Sequence, residues 1–141
     1  MGRVLAIDVG GRRVGLAISD ASRTLARPLE TIAVSSEADA VERVVRRIDE
    51  LDHEDQGIAM IVVGMPSRLD GTPTPQTAHV QAFIARLKAR TPLPIATEDE
   101  RLTSVEAESR LARREKDWRK RKAQLDAAAA AVFLQDYLDR R

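Results

Sequence analysis

The sequence contains no cysteine. That removes disulfide scaffolds and thiolate metal sites, and it fits a reducing compartment. No run of 18 apolar residues is present, and the N-terminus lacks a signal-peptide pattern, so a soluble, cytoplasmic protein without a membrane partner is expected. Histidine occurs only at His53 and His79; the two lack metal-ligand spacing and read as ordinary surface residues. Phe83, Trp118, Phe133 and Tyr137 are the only aromatic residues, so the core must be aliphatic and alanine-rich. Neither a phosphate-binding G-x-x-x-x-G-K-[ST] loop nor a serine nucleophile elbow occurs.

What is present suffices for one domain over residues 1–141: the chain is 43% hydrophobic and long enough to bury a core. It is organised around Val4 to Asp20, VLAIDVGGRRVGLAISD. Two apolar runs flank a Gly-rich, Arg-bearing turn, which predicts a β-hairpin. Asp8 closes the first run. A carboxylate in an apolar strand costs several kcal/mol if buried alone, so it requires a polar site, a metal ion, or a simple role in the turn.

Further along, Thr24 to Val34 carries Pro28, which suits an edge strand. Ser35-Ser36-Glu37 caps a helix whose apolar residues Val41, Val44, Val45, Ile48 and Leu51 follow helical spacing. Ile58 to Gly64 is continuously apolar, as in a strand covered on both faces. Thr74 and Pro75 open a helix with Val80, Phe83, Ile84 and Leu87 on its apolar side. A strand is expected at Pro94 to Glu98, a capping box at Thr103-Ser104-Val105-Glu106, and an alanine-rich helix from Gln124 to Leu138. The order β-β-β-α-β-α-β-α-α predicts an α/β fold with one mixed five-stranded sheet, three antiparallel strands then parallel ones, and helices on both faces.

Acidic residues fall where such a sheet forms sites: Asp8 after the first strand, Asp99 and Glu100 after the last, and Asp126 in what reads as the first turn of the last helix. Together they would form a hard, all-oxygen site suited to Mg²⁺ or Mn²⁺, the ions that assist phosphodiester cleavage. The plainer alternatives are a helix-dipole role for Asp126 and a solvated loop for Asp99 and Glu100, with Glu100–Arg101 a weak surface pair. Arg12, Arg13 and Arg101 are candidate phosphate contacts. Residues Arg110 to Lys122 carry eight Lys/Arg against two acids. With Trp118 among Arg119, Lys120 and Lys122, this stretch suits phosphate tracking with one stacking platform, or else a solvated charged face. Gly64 to Thr72 either lines a groove or forms a plain Asp-Gly turn.

The sequence resembles the YqgF/RuvX family, Holliday-junction-resolvase-like proteins also described as pre-16S rRNA processing nucleases. The resemblance rests on Asp8-Val9-Gly10 with Arg13-Val14-Gly15-Leu16-Ala17 and Ser19-Asp20. It continues through Val62-Val63-Gly64-Met65-Pro66, Asp70-Gly71-Thr72, Asp99-Glu100-Arg101-Leu102-Thr103 with Glu106-Ala107, and Lys122, Asp126, Ala128-Ala129, Leu134 and Tyr137-Leu138. It implies a ribonuclease H-like fold and Mg²⁺- or Mn²⁺-dependent cleavage of structured nucleic acid. The implied task is maturation of the 5′ end of 16S rRNA, with pre-rRNA, branched DNA and ribosomal particles as partners and a monomer or homodimer as the working form. By position, Asp8, Asp99, Glu100 and Asp126 match the family's acidic site, with Asp8, Glu100 and Asp126 as metal ligands. Glu98 adds a third consecutive acid, and Ser67-Arg68 replaces a polar–apolar pair before the Asp-Gly turn. The alternatives are a junction resolvase acting on DNA and a non-catalytic RNA-binding assembly factor. An actin-like or sugar-kinase ATPase also opens with Asp-x-Gly, but it needs two lobes where this chain supplies one.

Overall fold

The computed structural model describes residues 2–67, 70–100 and 118–140, with side chains in the last segment described from Gln124 onward. Its elements are β1 (Arg3–Val9), β2 (Arg13–Ser19), β3 (Ala26–Ala33), α1 (Glu37–Asp52), β4 (Ile58–Met65), α2 (Pro75–Lys88), β5 (Ile95–Asp99) and α3 (Trp118–Asp139). The strands form one sheet in the order β3-β2-β1-β4-β5. β1, β2 and β3 pair antiparallel, while β4 runs parallel to both β1 and β5. This is the mixed five-stranded sheet expected from the order of the apolar runs.

Side chains alternate across each strand, and the two sets go to different helices. Leu5, Ile7, Val14, Leu16, Ile18, Ile61 and Val63 pack with the apolar sides of α1 and α2. Val4, Ala6, Ala17 and Val62 pack with Ala130, Phe133, Leu134 and Leu138 of α3. β4 thus contributes to both layers, which explains why its sequence is an unbroken apolar run rather than an alternating one. The α3 face of the sheet uses mostly small residues, so the helix lies close. Phe133 is fully buried in this layer; its loss would cost about 3–5 kcal/mol.

The local signals act as read. The Gly10 N–H donates to the Arg13 carbonyl at 2.9 Å and closes the β1–β2 turn. Pro28 sits on the edge strand β3, opposite Ala17 and beside a register shift, where a missing N–H costs no ladder bond. Ser36 Oγ accepts from the Asp39 N–H at 3.1 Å and caps α1. Pro75 occupies the first turn of α2.

One boundary differs. α3 starts at Trp118 rather than Gln124 and runs for 22 residues. Arg, Lys and Ala are good helix formers, so the basic segment continues the helix backwards. Asp126 therefore lies in the third turn, beyond the reach of the N-terminal dipole. Gln135 fixes the helix against the β3 edge: its Oε1 accepts from the Ala26 N–H and its Nε2 donates to the Thr24 carbonyl, both at 2.9 Å. The capping box at 103–106 lies outside the described residues.

Candidate active site

Asp8 belongs to the set of β1 side chains that faces α3. Its ladder partner on β2 is Gly15. On the other side, the pairing of Ile7 with Val63 brings Gly64 of β4 alongside. The acid is therefore flanked by two residues without side chains. A Cβ at position 15 would fall 2.2 Å from the backbone C and O of Asp126, so α3 rests directly on the sheet there. A Cβ at position 64 would fall 2.6 Å from both Glu100 Oε2 and Phe133 Cε2. The two glycines admit the other two acids of the site.

The consecutive acids at the end of β5 separate by strand alternation. Glu98 faces α3, is 4% exposed, and accepts an ion pair from Arg140 near the end of that helix. Asp99 points to the opposite side, where Ser67 Oγ donates to its Oδ1 at 3.3 Å. Glu100 follows the strand, with its N–H on the Met65 carbonyl at 3.3 Å, and its side chain hydrogen-bonds Asp8. Glu98 is thus part of the framework, and Glu100 is the member of the trio that meets Asp8.

Burial pushes the Asp8 carboxyl up to about 6, and the charge of Asp126 adds to the rise. Glu100 is pushed up to about 9, first by burial, then by the charge of Asp8 and the hydrogen bond to it. At neutral pH Glu100 keeps its proton and donates it to the Asp8 carboxylate, and the pair titrates as a unit. The Asp126 carboxylate is close enough to raise both groups, but its Oδ2 accepts from Arg13 Nε at 2.7 Å. Among the described residues no three His, Cys, Asp or Glu side chains are gathered tightly enough to hold a metal ion. The donor chemistry nonetheless fits one: two partly buried carboxyl groups share a proton where a hard cation would serve, and a third stands beside them.

The remaining candidates are distributed as follows. Arg12 is exposed at the hairpin tip, while Arg13 is committed to Asp126. Arg101 lies outside the described residues, as do the side chains of Trp118, Arg119, Lys120 and Lys122. Asp70-Gly71-Thr72 is a local turn in which Asp70 Oδ1 accepts from the Thr72 N–H at 3.0 Å and from its hydroxyl at 2.7 Å. His53 is exposed, with Nδ1 2.7 Å from the Asp49 carbonyl. A cleft of about 360 Å³ lined by residues including Glu42, Arg46 and Arg90 lies on the α1 side of the sheet, away from the acids.

Sequence reasoning missed the part played by Gly15 and Gly64 in admitting Asp126 and Glu100 to the sheet. The signal was there, since a lone glycine inside a strand marks a close approach. It also missed Gln76, whose Nε2 donates to the Val9 carbonyl at 3.2 Å and ties α2 to the end of β1.

Comparison with known proteins gives the family and the fold. The chain is 43% identical over 138 residues to a protein of Chloroflexus aurantiacus named "Putative pre-16S rRNA nuclease", covering 98% of this chain and 87% of the relative. A protein of the same name from Thermoanaerobacter pseudethanolicus is 41% identical, with 97% and 96% covered. Among solved structures, T. thermophilus RuvC in complex with a Holliday junction substrate superposes with a TM-score of 0.56 at 18% identity, covering 100% of this chain and 96% of that one. At that identity the likeness speaks for the fold, which is ribonuclease H-like. EutJ, an ethanolamine utilization protein of Carboxydothermus hydrogenoformans, shares the fold at a TM-score of 0.50 and 14% identity, over 76% of this chain and 40% of that one. The family model described as "RuvX: Holliday junction resolvase" matches residues 2–140: the chain belongs to the RuvX family.

Proposed function

We propose that this protein is a divalent-metal-dependent endonuclease that cuts phosphodiester bonds in structured nucleic acid, with the 5′ end of pre-16S rRNA as its substrate. The observation that carries the reading is the hydrogen-bonded pair of Asp8 and Glu100. These residues are 92 positions apart, on β1 and just past β5, and they meet on one face of the sheet beside Asp126. A structural acid in an apolar layer would be paired with a base, as Glu98 is with Arg140. Two acids paired with each other are costly unless the site has a cationic occupant.

In this reading Asp8, Glu100 and Asp126 hold Mg²⁺ or Mn²⁺. The ion, when bound, lowers the pKa of an attacking water and stabilises the leaving oxygen. The chain's own residues do the rest. Asp8 and Glu100 give up their shared proton to become acceptors only. The glycines at 15 and 64 let Asp126 and Glu100 approach Asp8. Arg12, with the basic turns of α3, offers charge for the phosphate backbone. Ribosomal particles are the setting in which a pre-rRNA end would be met.

A second reading, resolution of branched DNA, is favoured by the description of the family model. One experiment separates them. Mn²⁺-dependent cleavage of a pre-16S leader RNA and of a four-way DNA junction is compared for the wild-type protein and Asp8→Asn. Leader cleavage that the substitution abolishes supports the rRNA assignment, and junction cleavage alone moves the substrate to DNA. Cleavage unaffected by Asp8→Asn overturns the site. Tight RNA binding without any cleavage makes the protein an assembly factor.

A further inference from the structure

We propose that Arg13 is a latch on the metal site: it holds Asp126 in an ion pair until a phosphate of the incoming nucleic acid takes over its guanidinium, freeing Asp126 to join Asp8 and Glu100. The inference rests on the nuclease reading above and adds an order of events to it.

Three features support the latch. The first is geometric. Arg13 opens β2 on the same face as Gly15, and its Nε lies 2.7 Å from Asp126 Oδ2. Of the three acids, Asp126 is the one held in an ion pair by an arginine, and among the described residues the acids do not form a closed metal cage. The second is accessibility. The Arg13 and Asp126 side chains are 48% and 24% exposed, so a phosphate arriving from solvent can reach the guanidinium without any rearrangement of the core. The third is energetic. An exposed ion pair is weak and exchangeable, and the planar fork of arginine pairs with phosphate as readily as with carboxylate. A polyanion is therefore a competent rival for Arg13, whereas a lone metal ion must displace the arginine without compensation.

The consequence is cooperativity between metal and substrate. Nucleic acid that engages Arg13 strengthens metal binding, and by linkage the metal strengthens nucleic-acid binding by the same factor. The hydrolytic site is completed only when a phosphate is at hand. The same side chain that would grip the substrate is the one that keeps the free enzyme incomplete.

The test is a mutant cycle read by Mn²⁺ binding rather than by cleavage. Affinity for Mn²⁺ alone is measured for wild type, Arg13→Gln, Asp126→Asn and the double variant, with Arg13→Lys as a version that keeps the charge but loses the fork. Arg13→Gln is expected to bind Mn²⁺ roughly two- to fivefold more tightly than wild type, with Arg13→Lys in between. In the Asp126→Asn background the same change should have no effect. Equal tightening in both backgrounds would mean that only a nearby positive charge was removed, and would overturn the latch. Unchanged affinity in Arg13→Gln would overturn it too, while leaving the metal site standing. No Mn²⁺ binding in any variant would instead remove the nuclease reading beneath it. In a second arm, a 2′-O-methyl RNA hairpin should tighten Mn²⁺ binding to wild type and not to Arg13→Gln. The same response in both, or none in wild type, overturns release by phosphate.

Discussion

Asp8 stands directly opposite Gly15 in the antiparallel ladder of β1 and β2, and the backbone of Asp126 occupies the space that a side chain at position 15 would need. One strand acid, one missing side chain and one helix acid thus form a single contact. Backbone atoms cannot rotate aside as the end of a flexible side chain can. Gly15→Ala should therefore lift α3 off the sheet, with an overpacking cost of about 1–3 kcal/mol and loss of Mn²⁺-dependent cleavage. Urea unfolding and a leader-RNA assay on the same preparation check both.

Gly64→Ala should behave differently. Its Cβ would meet Glu100 Oε2 and an edge atom of the Phe133 ring, both at 2.6 Å; the ring is fully buried, whereas the carboxyl ends a flexible side chain. The Glu100 carboxyl is the easier to displace. Cleavage is expected to fall far more than stability, with a larger Mn²⁺ requirement than in wild type. A stability loss equal to that of Gly15→Ala would contradict this.

The pH response has a definite sign. Burial raises Asp8 from 3.8 to about 6 and Glu100 from 4.5 to about 9. A group whose folded pKa is raised contributes stability that is fully present below its unfolded pKa and is lost as pH climbs through the folded one. Metal-free protein should accordingly lose stability between about pH 4 and about pH 9. Because the two groups titrate as a unit, either Glu100→Gln or Asp8→Asn should make that decline smaller. Saturating Mn²⁺ should oppose it, because an ion bound only by the folded state stabilises that state. Urea midpoints across this range provide the measurement.

Glu98 and Arg140 can be separated from the chemistry. Glu98 is buried and its partner is exposed. Arg140→Ala should lower the melting temperature by leaving a carboxylate facing an apolar layer without its counter-charge. Adding Glu98→Gln should recover part of the loss, since the amide carries no charge to compensate. Both variants should keep Mn²⁺-dependent cleavage, in contrast to Asp8→Asn. Thermal melts of the two variants with a cleavage assay decide the matter.

Much of this molecule can be read from the order of its residues because its strands and helices signal themselves strongly. The unbroken run of β4 announces a strand covered twice, Pro28 announces an edge, and Thr74-Pro75 announces a helix start. The acids at 8, 100 and 126 were visible as acids in unusual places. Less visible was which of Glu98, Asp99 and Glu100 would reach Asp8. That depends on where β5 ends and hence on which parity of side chain faces α3, and a one-residue change of boundary reverses the answer. The pairing of Arg13 with Asp126 was hidden for another reason. It joins residues 113 positions apart, and its existence depends on how closely α3 approaches the sheet, which the glycine at position 15 governs.

The length of α3 carries a last consequence. Asp126 and the basic residues Arg119, Lys120, Arg121 and Lys122 share one uninterrupted helix, so in the proposed nuclease reading the offset between a phosphate gripped near the helix start and the bond at the acids would be a fixed rise, about 6 Å for each four residues. α3 would then act as a ruler. A single alanine inserted between Lys122 and Asp126 would turn the grip by about 100° relative to the acids. Where the chain cuts would be decided by register along a rigid rod rather than by how strongly it holds its substrate.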